Sequence, residues 1–178
     1  MATLNELLPL IQIGVGILVT GPQRSGTTIA ARILAHEFGY CYVDENSIYT
    51  HLPQFAKMFL DSGTFVVQAP ALCYVADTLG ATVVIMRRNI DDIHKSEERI
   101  GWRSWENGEN VRVEKAKYVS RFGLSVASDN IARMKYVCWD VYQRSNCVCF
   151  DLDYDSLCVH PLWKDQGERA SFGAKQWK

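Results

Sequence analysis

Two stretches of the chain carry residue types and spacings suited to holding anions. In GVGILVTGPQRSGTT, residues 14–28, an apolar run leads into a loop containing Gly21, Gln23, Arg24, Ser25 and Gly26, followed by Thr27 and Thr28. Free amides at the start of a helix, side-chain hydroxyls and a guanidinium are the donors that cradle a phosphate. The form GxxxxGK followed by Ser or Thr, used by nucleotide kinases, has a lysine after its second glycine; here that position is Thr27, and the positive charge stands inside the loop as Arg24. A planar guanidinium can bridge a leaving oxygen and a transferred group, a different task from that of a lysine point charge on a γ-phosphate. In the second stretch, MRRNIDDIHKS, Arg87 and Arg88 close an apolar run and Ser96 follows Arg88 by eight residues. An arginine at a strand end and a serine returned by the next helix can grip a phosphate separate from that of the loop. The competing reading pairs Arg87 and Arg88 with Asp91 and Asp92 as a solvated helix start.

These residues need a scaffold, and the hydropathy pattern describes one. Val15, Ile17, Leu18 and Val19 suit a strand covered on both faces, and Ile29, Ile33, Leu34 and Phe38 keep helical spacing after Thr27. Further strands are expected at Tyr40 to Val43, Thr64 to Gln68, Thr82 to Met86 and Cys147 to Leu152. Helices are expected around Gln54 to Leu60, over Leu72 to Leu79, from Ile90 to about Trp102, and along the stripe Ile131, Met134, Cys138, Val141 and Tyr142, with Arg133, Lys135 and Arg144 mostly off it. Strands alternating with helices predict an α/β fold with a mainly parallel five-stranded sheet between two helical layers. The 178 residues are expected to form one domain, 1–178.

Composition narrows the possible partners. A net charge of −1 gives no support for bulk binding of nucleic acid or of an anionic membrane. The six cysteines form no CxxC pair and no zinc-ligand spacing, so they read as reduced thiols and no metal site is expected. The apolar run Leu7 to Val19 is too short to span a bilayer and follows Glu6 rather than a basic cluster. A cytoplasmic protein without a membrane span is the expectation.

Together the two anion motifs resemble those of the sulfotransferases that use 3′-phosphoadenosine 5′-phosphosulfate (PAPS). The family's (K/R)SGTT loop is matched by Arg24, Ser25, Gly26, Thr27 and Thr28, and its RNPxDxxxS element by Arg88, Asn89, Asp92 and Ser96, with Ile90 in place of the proline. FVVQAP looks like the family's Lys-x-Pro element with Gln68 replacing lysine, and FDLDYDSL resembles its tyrosine-acid-leucine stretch. The resemblance covers residues 14 to 100 best. It implies a P-loop-type α/β/α domain, with Gln23 to Thr28 around the 5′-phosphosulfate and Arg88 and Ser96 on the 3′-phosphate. By position near the C-terminus, Arg169 and Lys175 resemble the family's late phosphate-and-adenine segment.

The activity so implied is transfer of a sulfuryl group to a hydroxyl or amine acceptor, whether carbohydrate, small molecule or protein. Arg24, the Gly26 to Thr28 amides and the two threonine hydroxyls would stabilise the developing charge, at about 3 kcal/mol per well-placed donor. Neither FVVQAP nor VVIMRR ends in an aspartate able to hold magnesium, and no metal is expected. Glu45, just past the second strand, is the first candidate for the base that takes the acceptor's proton, with Asp44 and His51 as rivals. Trp102 and Trp105 can either stack on adenine or pack as core. Two other classes stay open: a small P-loop kinase using magnesium ATP, and a nucleotide-binding protein without turnover.

Overall fold

A computed structural model of the protein describes residues 1–47, 49, 52–101, 109–122, 131–142 and 147–164. The strands are β1 (Ile17–Thr20), β2 (Cys41–Val43), β3 (Phe65–Gln68), β4 (Thr82–Arg87) and β5 (Cys149–Asp153). The helices are α1 (Leu4–Leu7), α2 (Thr27–Phe38), α3 (Pro53–Leu60), α4 (Ile90–Arg99), α5 (Glu109–Phe122), α6 (Ile131–Tyr142) and α7 (Pro161–Lys164). The strands form one sheet in the order β2-β3-β1-β4-β5, every pair parallel. The chain leaves β1 toward β2 and β3 and later continues on the other side with β4 and β5, which opens a crevice at the carboxyl ends of the strands.

Strand periodicity divides the core into two layers. Leu18, Val67, Val83 and Ile85 face α3, α5 and α6, whereas Ile17, Val19, Val66, Val84, Met86 and Leu152 face α1 and α2. Every residue of β1 is buried, which explains why its sequence is apolar without alternation. A Cβ on Gly16 would lie 2.3 Å from the Leu60 carbonyl oxygen, so glycine there lets the end of α3 rest on the entry to β1. At the other sheet edge Ala2 exchanges hydrogen bonds with Asp151 (2.8 Å) and Asp153 (3.0 Å), covering part of β5.

The structure departs from the expected elements in three places. The span 72–79 forms no α-helix; Pro70–Tyr74 and Ala76–Thr78 are two 3-10 segments closed by bonds such as Val75 N to Leu72 O (3.0 Å). The carbonyls that would start an α-helix are engaged elsewhere: Thr20 Oγ1 donates to Ala69 O (3.0 Å) and Lys135 Nζ to Pro70 O (3.1 Å). Helix α4 stops at Arg99, and β5 starts at Cys149 rather than Cys147. Lys135, expected off the apolar stripe of α6, is fully buried.

The connection after β5 is tied back to α2. His160 Nε2 and His36 Nδ1 each lie 3.1 Å from Glu37 Oε1, and the hydrogen bonds from His160 and then His36 hold the Glu37 carboxyl below its ordinary value of 4.5. A carboxyl that ionises more readily in the folded chain stabilises it above about pH 4.5, and that contribution is lost as pH falls through the lowered value. Glu37→Gln is therefore expected to flatten part of the acid-side decline of the melting temperature. An unchanged profile below pH 4.5 would contradict this assignment.

Candidate functional site: an arginine-lined cavity at the loop

The loop between β1 and α2 is shaped by three residues in the left-handed region: Gly21 (φ 130°), Arg24 (φ 65°) and Gly26 (φ 95°). Gly21 packs its α-carbon against the Met86 backbone of β4, and a Cβ on Gly26 would meet the Tyr154 ring at 2.5 Å. For an arginine this backbone costs on the order of 1 to 2 kcal/mol, so the loop holds Arg24 in place against a local preference. The Ser25 hydroxyl is spent on the loop itself, donating to Pro22 O at 2.6 Å, and Ser25 is buried. Gly26 caps α2, leaving the first-turn amides at Thr27 and Thr28 beside the cavity.

The two anion motifs meet through direct contacts. Arg24 Nε donates to Ser96 Oγ at 3.0 Å, and Arg88 Nη1 donates to the Arg24 carbonyl at 2.8 Å. Because Ser96 Oγ accepts from Arg24, its proton is left for another acceptor. The Arg88 guanidinium lies 4.1 Å from the centroid of the Tyr154 ring, and its buried Nε has no hydrogen-bond acceptor among the described residues. These groups border a cavity of about 460 Å³ whose charged lining is Arg24, Arg32, Arg88 and Arg99, with no carboxylate among the described lining residues. Such a surface selects for a ligand with several negative charges.

Arg87, the neighbour of Arg88, has a different task. It pairs with Asp140 and, at 3.1 Å, with Asp151, and it lies 4.7 Å from the centroid of the Tyr136 ring. Burial pushes the Tyr136 phenol up to about 12; it stays protonated, donates to Met86 O (2.9 Å) and accepts from Arg88 N (3.1 Å). This buttress fixes the exit of β4 and the start of Arg88. The alternative pairing with Asp91 and Asp92 is not formed: Asp91 N bonds to the Asn89 cap (2.8 Å) and Asp92 faces Lys95 (3.4 Å).

On the β3 side, Gln68 Nε2 donates to Thr27 Oγ1 at 3.3 Å, while the Tyr42 hydroxyl lies 3.5 Å from Gln68 Oε1 and donates to Asp44 at 2.8 Å. Burial, and next the Asp44 carboxylate, push the Tyr42 phenol well up, which keeps it a donor. With its oxygen already accepting from Gln68, Thr27 can offer its proton to a ligand. Glu45 sits half-buried in the turn after β2 and is not among the cavity's lining residues. His51, Trp102, Trp105, Arg169 and Lys175 lie outside the described residues.

The cavity also contains residues that local patterns did not single out. Arg32 follows Thr28 by four residues and Arg99 follows Ser96 by three, spacings that put each on the same helix face as its partner. Trp163 lines it too, in an edge-to-face pair with Tyr154 of the FDLDYDSL stretch, centroids 5.0 Å apart. Lys135 stands behind the loop, 2.9 Å from Gln23 Oε1. Its spacing from Ile131 and Cys138 does match the buried face, and a lysine at a core position was the available signal.

Elsewhere, His36, Glu37 and His160 bring three possible metal-ligand atoms within 4.8 Å of one another. Leu162 N donates to His160 Nδ1 at 3.2 Å, so the ring proton sits on Nε2, the nitrogen facing Glu37. That nitrogen is a donor in this tautomer, which suits a carboxylate contact rather than a metal bond. Among the described residues no helix is long and apolar enough to cross a membrane. No family model matches the chain, and no curated protein matches it.

Proposed function

We propose that the chain is a PAPS-dependent sulfotransferase. The reading is carried by one observation: Arg24 to Ser96 and Arg88 to the Arg24 carbonyl join two anion-binding motifs, 72 and 64 residues apart in sequence, around one cation-lined cavity. PAPS has two anionic groups on one nucleoside and so requires two such sites. Arg88, Ser96 and Arg99 would hold the 3′-phosphate. Arg24, the amides of Gly26, Thr27 and Thr28, and the Thr27 and Thr28 hydroxyls would hold the 5′-phosphosulfate. Trp163, beside Tyr154 in the lining, would offer an aromatic surface to the purine.

In the reaction the acceptor oxygen or nitrogen attacks sulfur, the bond from sulfur to the 5′-phosphate oxygen breaks, and adenosine 3′,5′-bisphosphate (PAP) departs. Glu45, with Asp44 beside it, is the proposed destination of the acceptor's proton. Guanidiniums and amides supply the charge stabilisation that a metal provides in kinases, so the reaction is expected to run without magnesium. The proposed setting is the cytoplasm, with no nucleic-acid partner.

The test is turnover: protein, PAPS and a panel of hydroxyl and amine acceptors are incubated in chelator, and PAP is quantified. Acceptor-dependent PAP formation is the expected result. Binding of PAP with no release of PAP from PAPS under any acceptor would instead make the protein a nucleotide-binding module without turnover.

A further inference from the structure

Among the described residues Lys135, on α6, is an ammonium with no exposure. Burying an ammonium is costly unless it is hydrogen-bonded and its charge is compensated. Its Nζ donates to Gln23 Oε1 at 2.9 Å and to Pro70 O at 3.1 Å. These two oxygens belong to the loop and to the segment following Gln68, which stands where the resembled family carries a lysine.

The contact decides what Gln23 can offer. An ammonium only donates, so Gln23 must turn its carboxamide oxygen toward Lys135, and its two N–H bonds face away. No described residue accepts a hydrogen bond from them. Gln23 lies just before Arg24 and outside the lining of the arginine cavity. Its carboxamide belongs to the loop just before Arg24, on the side held by Lys135.

We infer that Lys135 is a positioning residue that fixes Gln23 as an N–H donor to the transferred sulfuryl oxygens and places a positive charge behind the loop. This deepens the sulfotransferase reading and rests on it. The charge behind the loop offsets the lysine that Gln68 replaces in the resembled family. Without Lys135 the Gln23 amide is free to flip and present an acceptor oxygen, which repels the same group.

The experiment measures affinities for PAPS, PAP and adenosine 5′-phosphate by calorimetry in the full chain, with Lys135→Met, Gln23→Ala, the double variant and Gln23→Glu. Lys135→Met and Gln23→Ala are each expected to lower the ratio of PAPS to PAP affinity about tenfold, the usual loss for a hydrogen bond to a charged group. The double variant should lose no more than either single one, and the ratio of PAP to adenosine 5′-phosphate affinity should hold in all. A purely structural lysine would depress both ratios, or neither. An unchanged PAPS to PAP ratio in Lys135→Met, or full additivity in the double variant, would overturn the inference. Should Lys135→Met not fold, Gln23→Glu decides: its carboxylate keeps the lysine paired but turns an anionic oxygen outward, and an unchanged ratio there is equally fatal. Wild-type protein that fails to distinguish PAP from adenosine 5′-phosphate would overturn the nucleotide reading itself, and this inference with it.

Discussion

Replacing Arg88 with alanine is expected to weaken PAP binding at least a hundredfold while weakening adenosine 5′-phosphate far less, because two charge-assisted hydrogen bonds at about 1.5 to 3 kcal/mol each leave with the guanidinium. The side chain has two roles that must be separated. Its Nη1 supports the loop through the Arg24 carbonyl, and loss of that support costs both nucleotides alike. Its buried Nε, without an acceptor among the described residues, and its stacking on Tyr154 direct the rest of the group at the cavity. The ratio of the two affinities isolates the second role. Equal losses for both ligands would remove the 3′-phosphate from Arg88.

The second large effect concerns Arg24. Arg24→Gly is expected to lower the rate of sulfuryl transfer by roughly 100 to 1,000-fold, the range seen when a preorganised donor to developing charge is deleted. Stability should move little. Glycine relieves the φ of 65°, a gain on the order of 1 kcal/mol that offsets the lost bond from Nε to Ser96. A melting temperature close to that of the parent with transfer nearly abolished is the expected pair of results. Retained transfer would show that the guanidinium does not contact the reacting group and serves only to hold Ser96.

The β1, loop and α2 unit was legible because its signals are local: an unbroken apolar run, glycines where the backbone must turn left-handed, then helical spacing. The parallel sheet followed from the alternation of elements. The stretch 72–79 misled because apolar spacing over so few residues fits a 3-10 path as well as an α-helix. What decided it was tertiary, the capture of the Ala69 and Pro70 carbonyls by Thr20 and Lys135. The site was half legible for the same reason. Arg24, Thr27, Thr28, Arg88 and Ser96 stand in recognisable strings, and Tyr154 in the looser FDLDYDSL stretch, whereas Trp163 reaches the cavity only because β5 lies beside β4. Lys135 belongs to a helix far along the chain, and only the packing of α6 against the segment after β3 brings its ammonium to Gln23. Gln68, which by type alone counts as a lost charge, is instead engaged with Thr27 and Tyr42.

The central claim is that Arg24, Arg88 and Ser96 form one site for a nucleotide carrying two separate anionic groups. The most direct measurement is calorimetric titration of the wild-type protein with PAP, adenosine 5′-phosphate and magnesium ATP, the first two in chelator. The expected result is metal-independent binding of PAP at least tenfold tighter than that of adenosine 5′-phosphate, with magnesium ATP weaker than PAP. Equal affinity for PAP and adenosine 5′-phosphate, or a preference for magnesium ATP, would contradict it.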